Sequence, residues 1–308
     1  MGPYLALARG SVRVSLACAC LVFSFFAATP RAHAFCREST SSSPGGDCSS
    51  AAGNTLLFWD RNCMTYVFHN TVFSRVPMGE AFVRNTFATS FQTWADVKCS
   101  GTVTTHFLVA QASGTTSTSD AEFLYDQPNE SVVVVRNRSE WTSLPDHESL
   151  ALALTLIWHD KKTGEILDVD MELNGGAGTF TDCKATTCKN TNIDLQNTVT
   201  HEAGHLLGLG HSSVRGATMQ PSTTMSPEIE KRDLASDDTM GYCALQLPNG
   251  PCAGSTCICP SPPVYSSHRS VTACNCSTPG QPRSGYGAAC LGLIVLASAW
   301  RLRRKHVR

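Results

Sequence analysis

The stretch His201-Glu202-Ala203-Gly204-His205-Leu206-Leu207-Gly208-Leu209-Gly210-His211 sets how the rest of the chain is read. Histidines spaced four apart project from one face of a helix, so His201 and His205 can reach a single ion. Zn²⁺ suits them, because it accepts neutral imidazole nitrogens and in catalytic sites keeps a position open for water. Gly208 stands where such a helix should end, since glycine takes the left-handed conformation that turns a chain back. That return can bring His211 to the ion as a third ligand. Glu202, beside the first ligand, is the natural general base for a metal-activated water. The pattern predicts zinc-assisted hydrolysis of peptide bonds. A bare H-E-x-x-H arises by chance in roughly one chain of this length per hundred, and the added Gly and His lower that about a thousandfold. The bland alternative is an amphipathic helix whose histidines only pack or face water.

The chain has 308 residues, a formal net charge of −1 and 42% hydrophobic residues. That supports one sizeable core with extensions rather than two full domains. Balanced charge leaves no basic footprint for nucleic acid. Arg9 and Arg13 precede an apolar run from Val14 to Ala28 and then Ala32-His33-Ala34, so residues 1–34 read as a secretory signal peptide, with an uncut membrane anchor as the alternative. Fifteen cysteines fit an oxidising destination. Setting aside Cys18, Cys20 and Cys290 leaves twelve, an even number that suits disulfides. Cys63 with Cys99 and Cys183 with Cys188 are expected local pairs. Cys252, Cys257, Cys259, Cys274 and Cys276 are expected to staple the tail, with Cys243 able to join them. Cys36 or Cys48 is read as disulfide-bonded, with metal ligation the alternative.

Residues 35–54 read as an irregular mature N-terminus rich in Ser, Gly and Cys. Strand segments are expected at Leu56–Trp59, Thr65–Phe68, Thr102–Val109 and Val132–Val135, the last buried on both faces. Helical spacing of Phe82, Val83, Phe87, Phe91, Trp94 and Val97 predicts a long helix over Val76–Val97. Ser113–Asp120 reads as a polar loop. Leu150–Trp158 and Glu165–Leu173 form a hairpin around Lys161-Lys162-Thr163-Gly164. Along its second strand Asp168, Asp170 and Glu172 alternate, and so share one face. Three oxygen donors there could hold Ca²⁺, or simply make a solvated acidic face. The metal-binding helix should run from Ile193 to Leu207, opened by Asn192 or Asp194 as cap. Residues 248–285 read as a disulfide-pinned Pro/Ser/Cys-rich stalk. Gly285–Trp300 is apolar but short for a membrane span, and a basic cluster from Arg301 follows.

The central stretch matches the longer H-E-x-x-H-x-x-G-x-x-H signature of the metzincins. Ser212 after the third histidine, and Met219 eight residues beyond that histidine, resemble the matrixin branch of bacterial type. The resemblance covers about residues 55–247 and is most specific over 201–221. It implies an α/β (α+β) fold: a twisted mixed five-stranded sheet, a backing helix, the zinc-binding helix and a C-terminal helix. By the same resemblance Met219 and Pro221 form the turn beneath the metal, Gly208 ends the helix, and the paired aspartates Asp237 and Asp238 support the floor. The substrate would pair with an edge strand at Ala151, Leu152, Ala153, Leu154, Thr155 and Leu156, antiparallel to it. The second, structural zinc of the animal enzymes is not carried over, because its histidines are missing, and neither is a cysteine-switch propeptide. Residues 286–308, with Cys290, resemble a myxobacterial sorting signal, with a retained membrane anchor as the alternative. The expectation is a monomeric, exported or surface-attached zinc endopeptidase acting on proteins or peptides, attached to the envelope through its tail, with Ca²⁺ as an optional second ion. A surface adhesion protein that grips peptides, or a domain that processes itself, is the alternative.

Overall fold

The computed structural model describes residues 35–41, 55–99, 103–104, 107–118, 120–189, 191–221, 228–245, 264–266 and 271–277. The expected signal peptide and sorting segment lie outside these residues, as do Cys48, Cys252, Cys257, Cys259 and Cys290. Five strands, β1 (Cys63–His69), β2 (Leu108–Thr116), β3 (Ser131–Arg136), β4 (Ala153–Asp160) and β5 (Ile166–Asn174), make a sheet. Helices α1 (Glu80–Ala95), α2 (Leu195–Leu207) and α3 (Ser236–Ala244) pack around it. Strand order is β4-β5-β3-β1-β2. Only β4 runs against its neighbour within this set, so the sheet is mixed, as expected. A further strand, β6 (Val271–Ser277), from the segment read as a stalk, pairs antiparallel with β4 and makes the sheet six-stranded. Among the described residues no helix is long and apolar enough to cross a membrane.

The run Val132–Val135 lies in the middle strand, where both faces are covered. Val133 and Val135 meet the main core, and Val132 and Val134 meet Val67 beneath Ala112 and Ala121. That explains a continuous apolar run instead of alternation. On the core side, Val83, Phe87, Phe91 and Trp94 of α1 and Val199, Ala203, Leu206 and Leu207 of α2 form one cluster with the sheet. Burying such side chains is worth about 1.5–3 kcal/mol each, so α1 clamps α2 against the sheet.

Several expectations need correction. The strand over Thr102–Val109 is instead Leu108–Thr116, which runs into the segment read as a polar loop. It is an outer strand with exposed positions at Ser113–Thr115, so it needs few apolar residues and its sequence hides it. Val103–Thr104 makes only a small ladder with Lys98–Cys99. Leu56 and Phe58 make isolated bridges rather than a strand. The helix expected from Val76 starts at Glu80, because Gly79 caps it with φ of 79°. The C-terminal helix implied by the resemblance, expected over Arg232–Tyr242, begins only at Ser236, after a short 3-10 turn at Glu230–Arg232. Cys99 bonds Cys243, not Cys63, and so ties the segment after α1 to α3. Cys183 bonds Cys188 as expected. Cys36 and Cys63 are disulfide-bonded too.

Candidate metal centre

Helix α2 is placed from both ends. Asp194 caps it, accepting from the Asn197 backbone N–H at 2.8 Å. Its carboxylate also takes Arg232, whose guanidinium reaches Asp182 as well. At the other end Gly208 adopts φ of 107° and its N–H bonds the His205 carbonyl. The chain then pairs through Leu209 and Gly210 with Arg37 and Cys36, which carries it back towards the helix. Two buried indoles fix the middle: Trp94 Nε1 donates to the Thr200 carbonyl at 2.8 Å, and Trp59 Nε1 to that of Leu206 at 3.0 Å.

This return brings His211 to the other two histidines. His205 Nε2 lies 3.2 Å from Nε2 of His201 and 3.2 Å from Nε2 of His211. On the opposite side of the ring, His201 Nδ1 faces the Thr218 carbonyl at 2.5 Å and His205 Nδ1 faces that of Leu209 at 2.8 Å. A carbonyl only accepts, so these Nδ1 atoms carry the protons and the Nε2 atoms present lone pairs. Burial lowers the pKa of all three imidazoles, that of His205 to about 4, and nearby Lys231 adds to the effect. The Nε2 lone pairs of His201 and His205 face each other and cannot hydrogen-bond; they repel unless a cation sits between them. Tetrahedral zinc with Zn–N near 2.0–2.1 Å sets its nitrogens about 3.3 Å apart. The residues present fit that ion, and among the described residues this is the one such cluster of His, Cys, Asp or Glu.

Glu202 is buried next to the triad, and its Oε2 accepts from the Thr155 hydroxyl of β4 at 2.6 Å. Sequence reasoning placed Thr155 on the edge strand for its backbone and missed this side-chain role. Strand parity puts Thr155 on one face of β4, but only the packing of α2 says what it meets. Below the histidines, Met219 sulfur packs so closely on α2 that a Cβ on Gly204 would lie 2.2 Å from it, and 2.8 Å from Trp94. Asp238 holds the turn by accepting from the N–H groups of Thr218 at 2.7 Å and Met219 at 2.9 Å. Asp237 accepts from the Ser212 hydroxyl at 2.5 Å. Pro221 ends the described part of this turn, where Lys231 Nζ donates to the Gln220 carbonyl at 2.7 Å. Lys231 was also missed: in Glu230-Lys231-Arg232 it reads as surface charge, yet it is buried.

The acidic residues of β5 do share a face, but it is a buried one. Asp168 accepts from the Ser131 hydroxyl, and Asp170 from the Val132 N–H and the Trp158 indole. Glu172 holds Arg136 through one oxygen and His147 through the other. Burial pushes the Asp168 carboxyl up to about 6, and burial with the Asp168 charge raises Asp170 well above the usual carboxylate range. Of the expected edge residues, Ala153–Leu156 lie in β4, while Ala151 and Leu152 precede it and are held by Asn174.

Three curated proteins illustrate what the chain is similar to. Metalloendoproteinase 1-MMP of Arabidopsis thaliana is 51% identical over 57 residues, 18% of this chain and 15% of that protein. Metalloendoproteinase 2-MMP of the same plant is 41% identical over 80 residues, 26% of this chain and 20% of that protein. Interstitial collagenase of Bos taurus is 37% identical over 75 residues, 24% of this chain and 15% of that protein. The matched stretches thus span a fifth or less of each of these relatives. The family model of the matrixins, peptidase family M10, covers residues 58–246, more than half of the chain and all of the site just described. With the histidine triad and the turn carrying Met219 inside that span, the chain belongs to the matrixin family.

Proposed function

We propose that this chain is a zinc-dependent endopeptidase that works outside the cytoplasm. The observation that carries the reading is the convergence of three imidazole Nε2 atoms beside a buried carboxylate held by β4. His201, His205 and His211 are the ligands, and Glu202 is the general base. Bound zinc would supply Lewis acidity, bringing the pKa of water towards about 7 and polarising the scissile carbonyl. Glu202 takes the proton of the attacking water and passes it to the leaving amine. Thr155 aims that carboxylate through its hydroxyl. Met219 and Gly204 set the depth of the histidines, and Asp238 fixes the turn that carries Met219. Substrate backbone pairs with β4, at Ala153–Leu156.

Proteins or peptides are the substrates on this reading, and one chain suffices for the site. Export is supported by the leader-like residues 1–34 and by disulfides that need an oxidising compartment. Residues 286–308 are proposed as the envelope attachment of a bacterial surface protein, on their sequence alone. Calcium at Asp168, Asp170 and Glu172 is not proposed, because every oxygen of the three but Asp168 Oδ2 already serves a protein donor.

The test uses the full chain with its disulfides intact and a diverse peptide mixture. One zinc per chain, with chelator-sensitive cuts that fall by a factor of about 10²–10⁴ in Glu202→Ala while zinc stays bound, is the expected result. Full activity in Glu202→Ala would sink the mechanism. Zinc without cuts would favour a peptide-gripping surface protein or a domain that processes only itself.

A further inference from the structure

The sheet edge that a substrate needs is already taken. Strand β6 pairs with β4 along its whole length, from Val271 opposite Asp160 to Ser277 opposite Leu154. It runs antiparallel, the direction in which an extended peptide is proposed to bind. The register sets Cys276 opposite Thr155, the residue whose hydroxyl holds Glu202. The strand therefore passes the catalytic base rather than some remote end of the edge.

A second, independent observation anchors the same segment. Tyr265 is buried and stacks on Phe123 with ring centroids 5.8 Å apart. Its hydroxyl accepts from Arg61 at 3.5 Å, and its carbonyl accepts from the Asp126 N–H at 2.7 Å. Val264 beside it bridges Pro128. Five residues separate this anchor from β6, so the strand is delivered to β4 by a short tether.

We infer that Val271–Ser277 is a built-in occupant of the peptide-binding edge, so that cleavage requires its displacement. The inference rests on the peptidase reading for what is blocked, but not for the occupancy. A strand on so short a tether presents itself at an effective concentration on the order of millimolar. A peptide must outcompete it, which raises KM and leaves kcat alone.

Neighbouring residues of an antiparallel strand send their N–H groups to opposite sides. Of Thr272 and Ala273, one therefore donates towards β4 and the other away from it. Proline at the donating position removes a ladder bond; at the other it spares the ladder. Thr272→Pro and Ala273→Pro, each in the full chain, are thus a matched test and control. Two readouts apply: hydrogen exchange of the β4 amides, and the affinity and cleavage of a fluorescent extended peptide. In one variant only, β4 amides should exchange at least tenfold faster, peptide affinity should rise about tenfold, and KM should fall about tenfold with kcat unchanged.

The inference is overturned if β4 amides already exchange as an open edge in the parent chain. It is overturned equally if the edge opens in a variant while peptide affinity stays the same. A variant that grips the peptide more tightly yet cuts nothing leaves the strand assignment standing and removes the peptidase reading instead.

Discussion

The histidines at α2 and the carboxylates of β5 begin alike, as ionisable side chains that spacing along one element sets on one face: His201 and His205 on α2, joined by His211 after the Gly208 turn, and three carboxylates on β5. They end in opposite states. Around the histidines, the backbone carbonyls of Thr218 and Leu209 take the Nδ1 protons and leave the Nε2 atoms aimed at one point. Around the carboxylates, donors arrive from other elements: Ser131 and Val132 from β3, Arg136 at its end, Trp158 from β4, and His147 from the loop before it. Spacing puts residues on a face; the partners brought by the fold decide whether they stay available to an ion. The first cluster is a site on this reading, and the second is a structural ion network.

That contrast is broken most sharply by Glu172→Gln. The carboxylate is buried between Arg136 and His147, so neutralising it removes the charge partner of His147 and leaves Arg136 with Asp120 alone. Losing one member of a buried pair costs about 3–5 kcal/mol. Urea unfolding with zinc in excess should show a loss of that order, while the zinc count stays at one per chain. Loss of zinc without loss of stability would mean that the acidic face, not the histidines, governs the metal.

The same comparison shows what the sequence could and could not disclose. The helix, its glycine stop and the third histidine were legible because their geometry is local, set within eleven residues. Asp194, one of two cap candidates with Asn192, and the hairpin of β4 and β5 were legible for the same reason. Thr155 beneath Glu202 was not, since it depends on how α2 lies across the sheet. Nor was the pairing of Cys99 with Cys243, whose partners are 144 residues apart. Strand β2 hid behind its polar exposed residues, and β6 behind a composition rich in Pro, Ser and Cys that reads as a linker. Each failure is a contact between distant segments, where local propensity carries no information.

A smaller effect separates the two clusters by pH. The hydrogen bond to Glu172 raises the pKa of His147 against the opposing effect of burial. A raised folded-state pKa gives stability that is complete below the ordinary value of 6.5 and lost as pH climbs through the folded value. Asp168, raised by burial from 3.8 to about 6, has the same sign: stability is lost as pH rises from 3.8 to about 6 and is level above that. These two groups therefore each lower the melting temperature as pH rises through their own range. His147→Gln should flatten the part above pH 6.5, and Asp168→Asn the part below 6. Taking each variant against the parent at every pH cancels the contribution of zinc. A parent whose melting temperature climbs relative to both variants across this range would reverse the assignment.

The smallest effect is the most discriminating. An ion that binds only the folded chain stabilises it by about 2.7 kcal/mol at a hundred times its Kd. Zinc should do so at the histidines, raising the melting temperature of chelator-treated protein by several degrees. Calcium has far less purchase on β5, where among these three carboxylates only Asp168 Oδ2 lacks a donor. To enter, it would have to displace Arg136 and His147 from Glu172 and take Asp168 and Asp170 as a fully charged pair, which their raised pKa values oppose. Added calcium, at millimolar concentration and with zinc already bound, should leave melting within about 1 °C. A clear calcium-dependent rise, abolished in Asp170→Asn, would return the acidic face to the list of metal sites and show that its protein donors yield to an ion.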